Sequence, residues 1–207
     1  MPGRSLPRSP ACSMPGDLPL NGSDYLMLGF DHELRRHGYA GNSCQIVLEL
    51  ASPISPEALR QRLVGLTNRY PILRARPGGL FSPQWKPLPA ANGFPLVRVH
   101  RDSPDLREQL SDEPLAIRRG ELCRFDLVEG DAGGMDLMFT WTHALMDAPS
   151  AEHFLAVVGR EDVTPPATTP VAPRPKKPLK ERLLLARKNV NQLSDFCKAA
   201  PRTNPTA

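Results

Sequence analysis

No run in this chain approaches the ~18 consecutive apolar residues that a membrane-spanning helix requires. The first twenty residues, MPGRSLPRSPACSMPGDLPL, contain basic residues but no apolar stretch of the kind a secretory signal needs. The four cysteines (Cys12, Cys44, Cys123 and Cys197) are scattered, with no CxxC pair and no spacing that suggests a disulfide framework. Free thiols in a cytoplasmic protein are the expectation that follows. There is no internal repeat. What remains is an ordinary globular chain: 207 residues, 40% hydrophobic and 23% charged, suffice for one core and hardly for two.

Proline, by contrast, is in excess. Its 24 residues are more than double the usual share of ~5%. Five fall in the first twenty positions and six between Pro165 and Pro178, where they mark chain ends and a linker. The net charge of +4 is also local: from Val163 onward nine Lys or Arg face two acids, a balance of +7 that leaves −3 for residues 1–162. A basic tail on a mildly acidic body argues against nucleic-acid binding as the main role. The organisation expected is a disordered tail over 1–22, a lobe over 23–162, a Pro-rich linker over 163–178, an amphipathic helix over 179–198 and a tail over 199–207.

Within the lobe, Ser23 can cap a short helix carrying Asp24, Tyr25, Leu26, Leu28 and Phe30. Cys44, Ile46, Leu48 and Leu50 alternate with Gln45, Val47 and Glu49, the pattern of a strand buried on one face. Ser55-Pro56-Glu57 is a helix start (cap, proline, acid), followed by an apolar stripe of Leu59, Leu63, Leu66 and Tyr70. A strand-like segment covers 72–76 and ends at Pro77-Gly78-Gly79. Further short strands are expected at 96–100 and 122–128, with a small helix near 105–110. Helices separate the strands without a strict βαβ rhythm. This predicts an α/β (α+β) fold with a mixed sheet flanked by helices, not a doubly wound parallel one.

Residues 135–155, MDLMFTWTHALMDAPSAEHFL, are the centre of the chain. Met135, Leu137, Phe139 and Trp141 share one face of a strand; Asp136, Met138, Thr140 and Thr142 share the other. Pro149 fits the first residue of a helix and pushes Ala148 out of the helical region. His143 and Asp147 therefore fall where a strand ends and a helix begins, a frequent place for functional groups in α/β folds. A metal held by His143, Asp147 and His153 is not expected, because Pro149 interrupts the helix that would align them and no fourth ligand is evident. Farther on, Leu179, Leu183, Ala186, Val190, Leu193 and Cys197 form a narrow apolar seam flanked by Lys and Arg. Three surfaces suit that seam: the body of this chain, another chain, or an anionic membrane.

The stretch Thr142-His143-Ala144-Leu145-Met146-Asp147-Ala148 resembles the HHxxxDG signature of the chloramphenicol acetyltransferase-like superfamily. That superfamily includes peptide-synthetase condensation domains and the bacterial wax ester synthase/diacylglycerol acyltransferases. The second His and the Asp match, while Thr142 replaces the first His and Ala148 the Gly. NRYPILRARP (68–77) is similar to the family's RHxxLRxxF segment, with Arg69, Leu73 and Arg74 in matching places. ELCRFDLVEG (121–130) resembles the strand before the one that carries the signature. The resemblance covers about residues 23–158 and corresponds to the N-terminal half of a two-lobed member, a single chloramphenicol acetyltransferase-like lobe.

The resemblance implies an acyltransferase that binds no permanent cofactor. Its donor would be an acyl thioester on coenzyme A or on a phosphopantetheine arm, and its acceptor an alcohol or amine. His143 would be the general base, a task that imidazole suits near neutral pH. Asp147 would be structural, pairing with a buried arginine, Arg74 first and Arg76 second. Thr142 stands at the position that is often less critical. Ala148 stands where glycine would permit backbone angles that alanine resists. No DFGWG-type motif of a second lobe is present, so a second acyltransferase lobe or self-association is the implied partner. The competing expectation is a truncated, catalytically inactive condensation-like protein that acts as a binding or interaction module.

Overall fold

The computed structural model describes residues 18–79, 83–89, 95–130 and 133–160, together with residues 180, 181, 184 and 187. In chain order the elements are β1 (Leu18–Pro19), α1 (Gly22–Arg36), β2 (Ser43–Leu50), α2 (Pro56–Arg69), β3 (Ala75–Gly78), β4 (Gln84–Pro87), β5 (Leu96–Arg101), α3 (Leu106–Asp112), β6 (Cys123–Glu129), β7 (Met135–Thr142) and α4 (Ala148–Gly159). Two 3-10 turns, Pro71–Arg74 and Ile117–Arg119, join them.

The main sheet has the order β2-β7-β6-β5. β7 runs antiparallel to both neighbours, while β5 is parallel to β6, so the sheet is mixed and flanked by helices. The period of two sorts its residues. On one face Cys123, Phe125, Leu127, Met135, Leu137, Phe139 and Trp141 form the floor of the core. α2 lays Leu59, Leu63 and Leu66 onto this floor, and α4 adds Ala151 with Phe154 and Leu155. Phe139 lies at its middle, with ring centroids 4.7 Å from Phe125, 5.1 Å from Trp141 and 5.6 Å from Phe154. Such aromatic pairs add to plain area burial.

The opposite face of β7 is not solvated, as a half-buried strand would be: Met138, Thr140 and Thr142 are also buried. α3 covers it, with Leu110 against Val128 and Met138. Beside this patch Arg124 and Asp126 are 0% exposed. Buried charges must be paired, and these are. Arg124 Nε donates to Asp126 Oδ2 at 3.0 Å and its Nη1 to Glu121 Oε1 at 3.2 Å. Arg98 bridges Asp126 at 2.6 Å and Glu113 at 2.8 Å, and His100 Nε2 lies 2.8 Å from Asp126 Oδ1.

A second, three-stranded sheet (β1-β4-β3) closes one end. Trp85 and Ala75 from this sheet pack with Leu20, Leu115, Ile117 and Leu122, and with Tyr25 and Leu28 of α1.

Several expectations need correction. α1 is not a short helix capped by Ser23. It runs 15 residues and is capped by Asn21, whose side chain accepts from the Ser23 and Asp24 amides while the Asp24 carboxylate accepts from the Asn21 amide. This reciprocal box satisfies donors two residues earlier than Ser23 could. Within the expected 1–22 tail, Leu18 and Pro19 form a short strand paired with β4. Residues 72–76 are not one strand: the 3-10 turn Pro71–Arg74 buries both Leu73 and Arg74, and β3 starts only at Ala75. β2 has the expected alternation but is an edge strand of its sheet, so Leu48 is exposed beside Val47. The residues 163–178 and the seam residues Leu179, Leu183, Ala186, Val190, Leu193 and Cys197 lie outside the described residues, whereas Lys180, Glu181, Leu184 and Arg187 are helical and exposed. Among the described residues no helix is long and apolar enough to cross a membrane, and Cys44 and Cys123 are free thiols.

Candidate functional site

His143 is the first residue after β7, and hydrogen bonds pin the loop around it from several sides. Thr142 N–H donates to Leu122 O at 2.9 Å, His143 N–H to Asn42 O at 3.1 Å and Leu145 N–H to Thr142 O at 2.9 Å. The buried Thr142 side chain contributes a further bond, its Oγ1 accepting from Ala144 N–H at 3.4 Å. Trp141 reaches over from the strand, and its Nε1–H donates to Met146 O at 2.9 Å. Ala144 and Leu145 pack against the smaller core cluster, Leu145 and Met146 against the larger one. The backbone is thus over-determined, while the imidazole itself is half-buried. The ring has no hydrogen-bond partner among the described residues.

Among the described residues Asp147 pairs with no buried arginine. It is exposed and caps α4, its Oδ1 accepting from Ser150 N–H at 3.0 Å and its carbonyl from Ala151 N–H at 2.9 Å. Hydrogen bonds from Ser150 hold its carboxyl below the usual carboxylate range, and the nearby His143 ring pulls the same way. A capping carboxylate at a helix N-terminus is stabilised by the free amides and by the helix dipole, so it needs no guanidinium partner. Arg74 is buried elsewhere: its Nη1 donates to Leu88 O at 2.7 Å, tying the 3-10 turn to the end of β4. Arg76 is exposed on β3, opposite Lys86.

Ala148 is the first residue of α4 and Pro149 the second, so the helix begins one residue earlier than Pro149 predicts. Asp105 is the one non-glycine residue with positive φ among the described residues, so alanine in place of glycine at 148 carries no left-handed strain.

Thr142, His143, Asp147 and Ala148 therefore share one loop, and among the described residues no ion pair joins Asp147 to Arg74 or Arg76. Sequence reasoning missed Asn42 and Trp141, which hold the loop by a backbone carbonyl and an indole N–H. No local pattern marks either role. A cleft of about 760 Å³ lies between α1 and the Ile117–Arg119 turn, lined among others by Leu28, Arg35, Gly78 and Arg118, but His143 is not part of its wall. No group of three or more His, Cys, Asp or Glu side chains among the described residues could hold a metal ion.

No family model matches this chain, and no curated protein does. Solved structures do. The first condensation domain of the calcium-dependent antibiotic synthetase, in complex with a substrate analogue, is 17% identical with a TM-score of 0.56, the match covering 69% of this chain and 37% of that one. The tallysomycin biosynthesis protein TlmII is 22% identical with a TM-score of 0.54, over 69% and 37% of the two chains. A starter condensation domain of rhizomide synthetase, in complex with C8-CoA, is 12% identical with a TM-score of 0.54, over 69% and 34%. The chain spans about a third of the length of these structures. At such identities the likeness is one of architecture, and it settles that architecture: over the matched residues this chain has the fold of one part of a condensation-domain structure.

Proposed function

We propose that this chain is a condensation-type acyltransferase lobe. It transfers an acyl group from a coenzyme A or carrier-protein thioester to a hydroxyl or amine, with His143 as general base. The observation that carries the reading is the placement of His143: a backbone locked at the end of a central strand, with an imidazole left partly open to solvent and free of intramolecular hydrogen bonds among the described residues. A base must be within reach of the acceptor's proton and carry no competing partner. The half-buried ring of His143 is partly open and makes no hydrogen bond among the described residues, which supports the reading.

Thr142 and Asp147 support the loop, one through its buried hydroxyl and the other through the cap of α4. Arg74 supports the neighbouring turn, and Arg76 remains a surface cation of the same region. The reading also requires a second wall around His143. Catalysis of acyl transfer needs water kept from the thioester, so this reading calls for a second lobe, from the same chain or another, to complete the site. The partly open imidazole also fits a second reading, a catalytically inactive condensation-like module that binds and does not turn over.

Thioester consumption separates the two. The chain, alone and at concentrations where its mass shows any self-association, is given C8-CoA with alcohol and amine acceptors. Under the proposal, His143→Ala lowers acyl transfer by roughly 10²–10⁴ while stability shifts by no more than about 1 kcal/mol, the centre of the range for point substitutions. Equal rates for the two proteins, or no transfer in any oligomeric form, would favour the binding module.

A further inference from the structure

The backbone of His143 is held by a residue far from it in sequence. Its N–H donates to Asn42 O, one step beyond the last rung of the β2–β7 ladder, where Ser43 faces Thr142. Asn42 is held in turn from α1: its N–H donates to Asp31 Oδ1 at 2.8 Å. Asp31 is only 8% exposed. Its carboxylate is oriented by Arg35, whose Nε reaches Oδ2 at 2.8 Å and whose Nη2 reaches Oδ1 at 3.2 Å. The same Nη2 donates to Leu115 O at 3.0 Å, anchoring the pair to the smaller core cluster. Gly41, at φ +113°, lets the chain pass this carboxylate closely, and a Cβ there would collide with Asp31 Oδ1 and with the Arg35 guanidinium.

We propose that Asp31 is a positioning residue for His143, fixing the loop through Asn42. The proposal rests on the reading of His143 as the base. The physical reason for a carboxylate here is that an ionised acceptor makes stronger and shorter hydrogen bonds than a neutral one. One buried carboxylate thereby ties helix α1, the turn at Gly41–Asn42 and the loop after β7 into a single joint. A joint of that kind matters for a general base because a displacement of about 1 Å can cost ~10² in rate.

The test needs no turnover. Isotope-labelled full-length chain is followed by NMR, with the His143 signals assigned by their loss in His143→Gln. In Asp31→Ala the amides of Asn42 and His143 exchange about tenfold faster, the scale of one lost hydrogen bond, and the His143 ring resonance shifts. The amides of β6 and of Phe139 and Trp141 stay near their original rates. Asp31→Asn, which keeps an acceptor for Asn42, falls between. Unchanged exchange at Asn42 and His143 would overturn the proposal. So would a uniform rise across β6 and β7, which would make Asp31 a general support of the fold. Should Asp31→Ala fail to fold, Gly41→Ala disturbs the same joint from the other side and gives the same local pattern; collapse of both variants counts against the proposal. Failure of His143→Ala to alter thioester transfer would remove the base but leave this linkage as measured.

Discussion

His143 and Asp147 lie four residues apart and have unlike physical tasks. The first offers a ring to solvent from a locked backbone, and the second spends its carboxylate on the amides of α4. Because Asp147 is exposed, its removal costs a helix cap and not a buried ion pair. Asp147→Ala is expected to lower the thermal midpoint modestly, whereas Asp147→Asn and Asp147→Ser stay close to the parent, since all three side chains cap well. Thermal unfolding followed by circular dichroism reads this directly. Loss as large as that from a core leucine would indicate a hidden charge partner. The cap also has a pH signature. Its folded pKa is depressed, so its contribution is complete above the ordinary carboxylate range and is lost as pH falls through the lower, folded value. The spacing from His to Asp was legible in the sequence. The partner of Asp147 was not, because a cap and an ion pair place the same residue types at the same positions.

Among the elements, α2 was the most legible. Ser55 caps it, with Ala58 N–H donating to Ser55 Oγ at 3.3 Å, Pro56 opens it, and the predicted stripe is the face that is buried. Two adjacent substitutions test that face. Leu63→Ala removes a side chain 1% exposed and should cost about 2–5 kcal/mol. Val64→Ala, at a position 57% exposed, should change stability by less than about 0.5 kcal/mol. Urea unfolding of the two variants checks both magnitudes, and similar losses would mean the helix faces another surface. The segment at 72–76 was misread for a definite reason. A strand would send Leu73 and Arg74 to opposite faces, but Pro71 starts a tight turn in which both point inward. α1 was read too short because Ser23 is a fair cap by itself, and the better one, Asn21, gains its advantage from the reciprocal bond of Asp24.

At the scale of the whole molecule, the buried ionic cluster of β5 and β6 couples the sheet to α3 and makes the fold sensitive to acid. Burial pushes the Asp126 carboxyl up, but hydrogen bonds from Arg98 and His100 and the charges of Arg98 and Arg124 outweigh it and hold it low. Glu113 is also held low, chiefly by its hydrogen bond with Arg98. Both folded values are depressed, so this stabilisation is complete above the ordinary carboxylate range of ~4 and drains away as pH falls through the folded values. Arg124→Met conserves much of the volume but removes one partner each from Asp126, which keeps Arg98 and His100, and from Glu121, which keeps the Ala116 amide, and it should cost up to about 3 kcal/mol at neutral pH. Its stability should also fall less steeply with acid than that of the parent. Denaturant titrations at neutral and acidic pH measure both effects, and an unaltered acid slope would show that Arg124 does not govern these carboxylates.

By itself the sequence determined whatever depends on neighbours within a few residues: the stripe and cap of α2, the two faces of β7, and the strand–loop–helix unit that presents His143. Local periodicity and backbone preferences encode those features. Tertiary structure alone decided which strands became neighbours, that Arg124 and Asp126 lie beneath α3, and that Asp31 reaches Asn42 and through it His143. Those outcomes depend on which distant segments close on one another to satisfy buried charges and amides, and residue types in a linear chain carry no address for a distant partner.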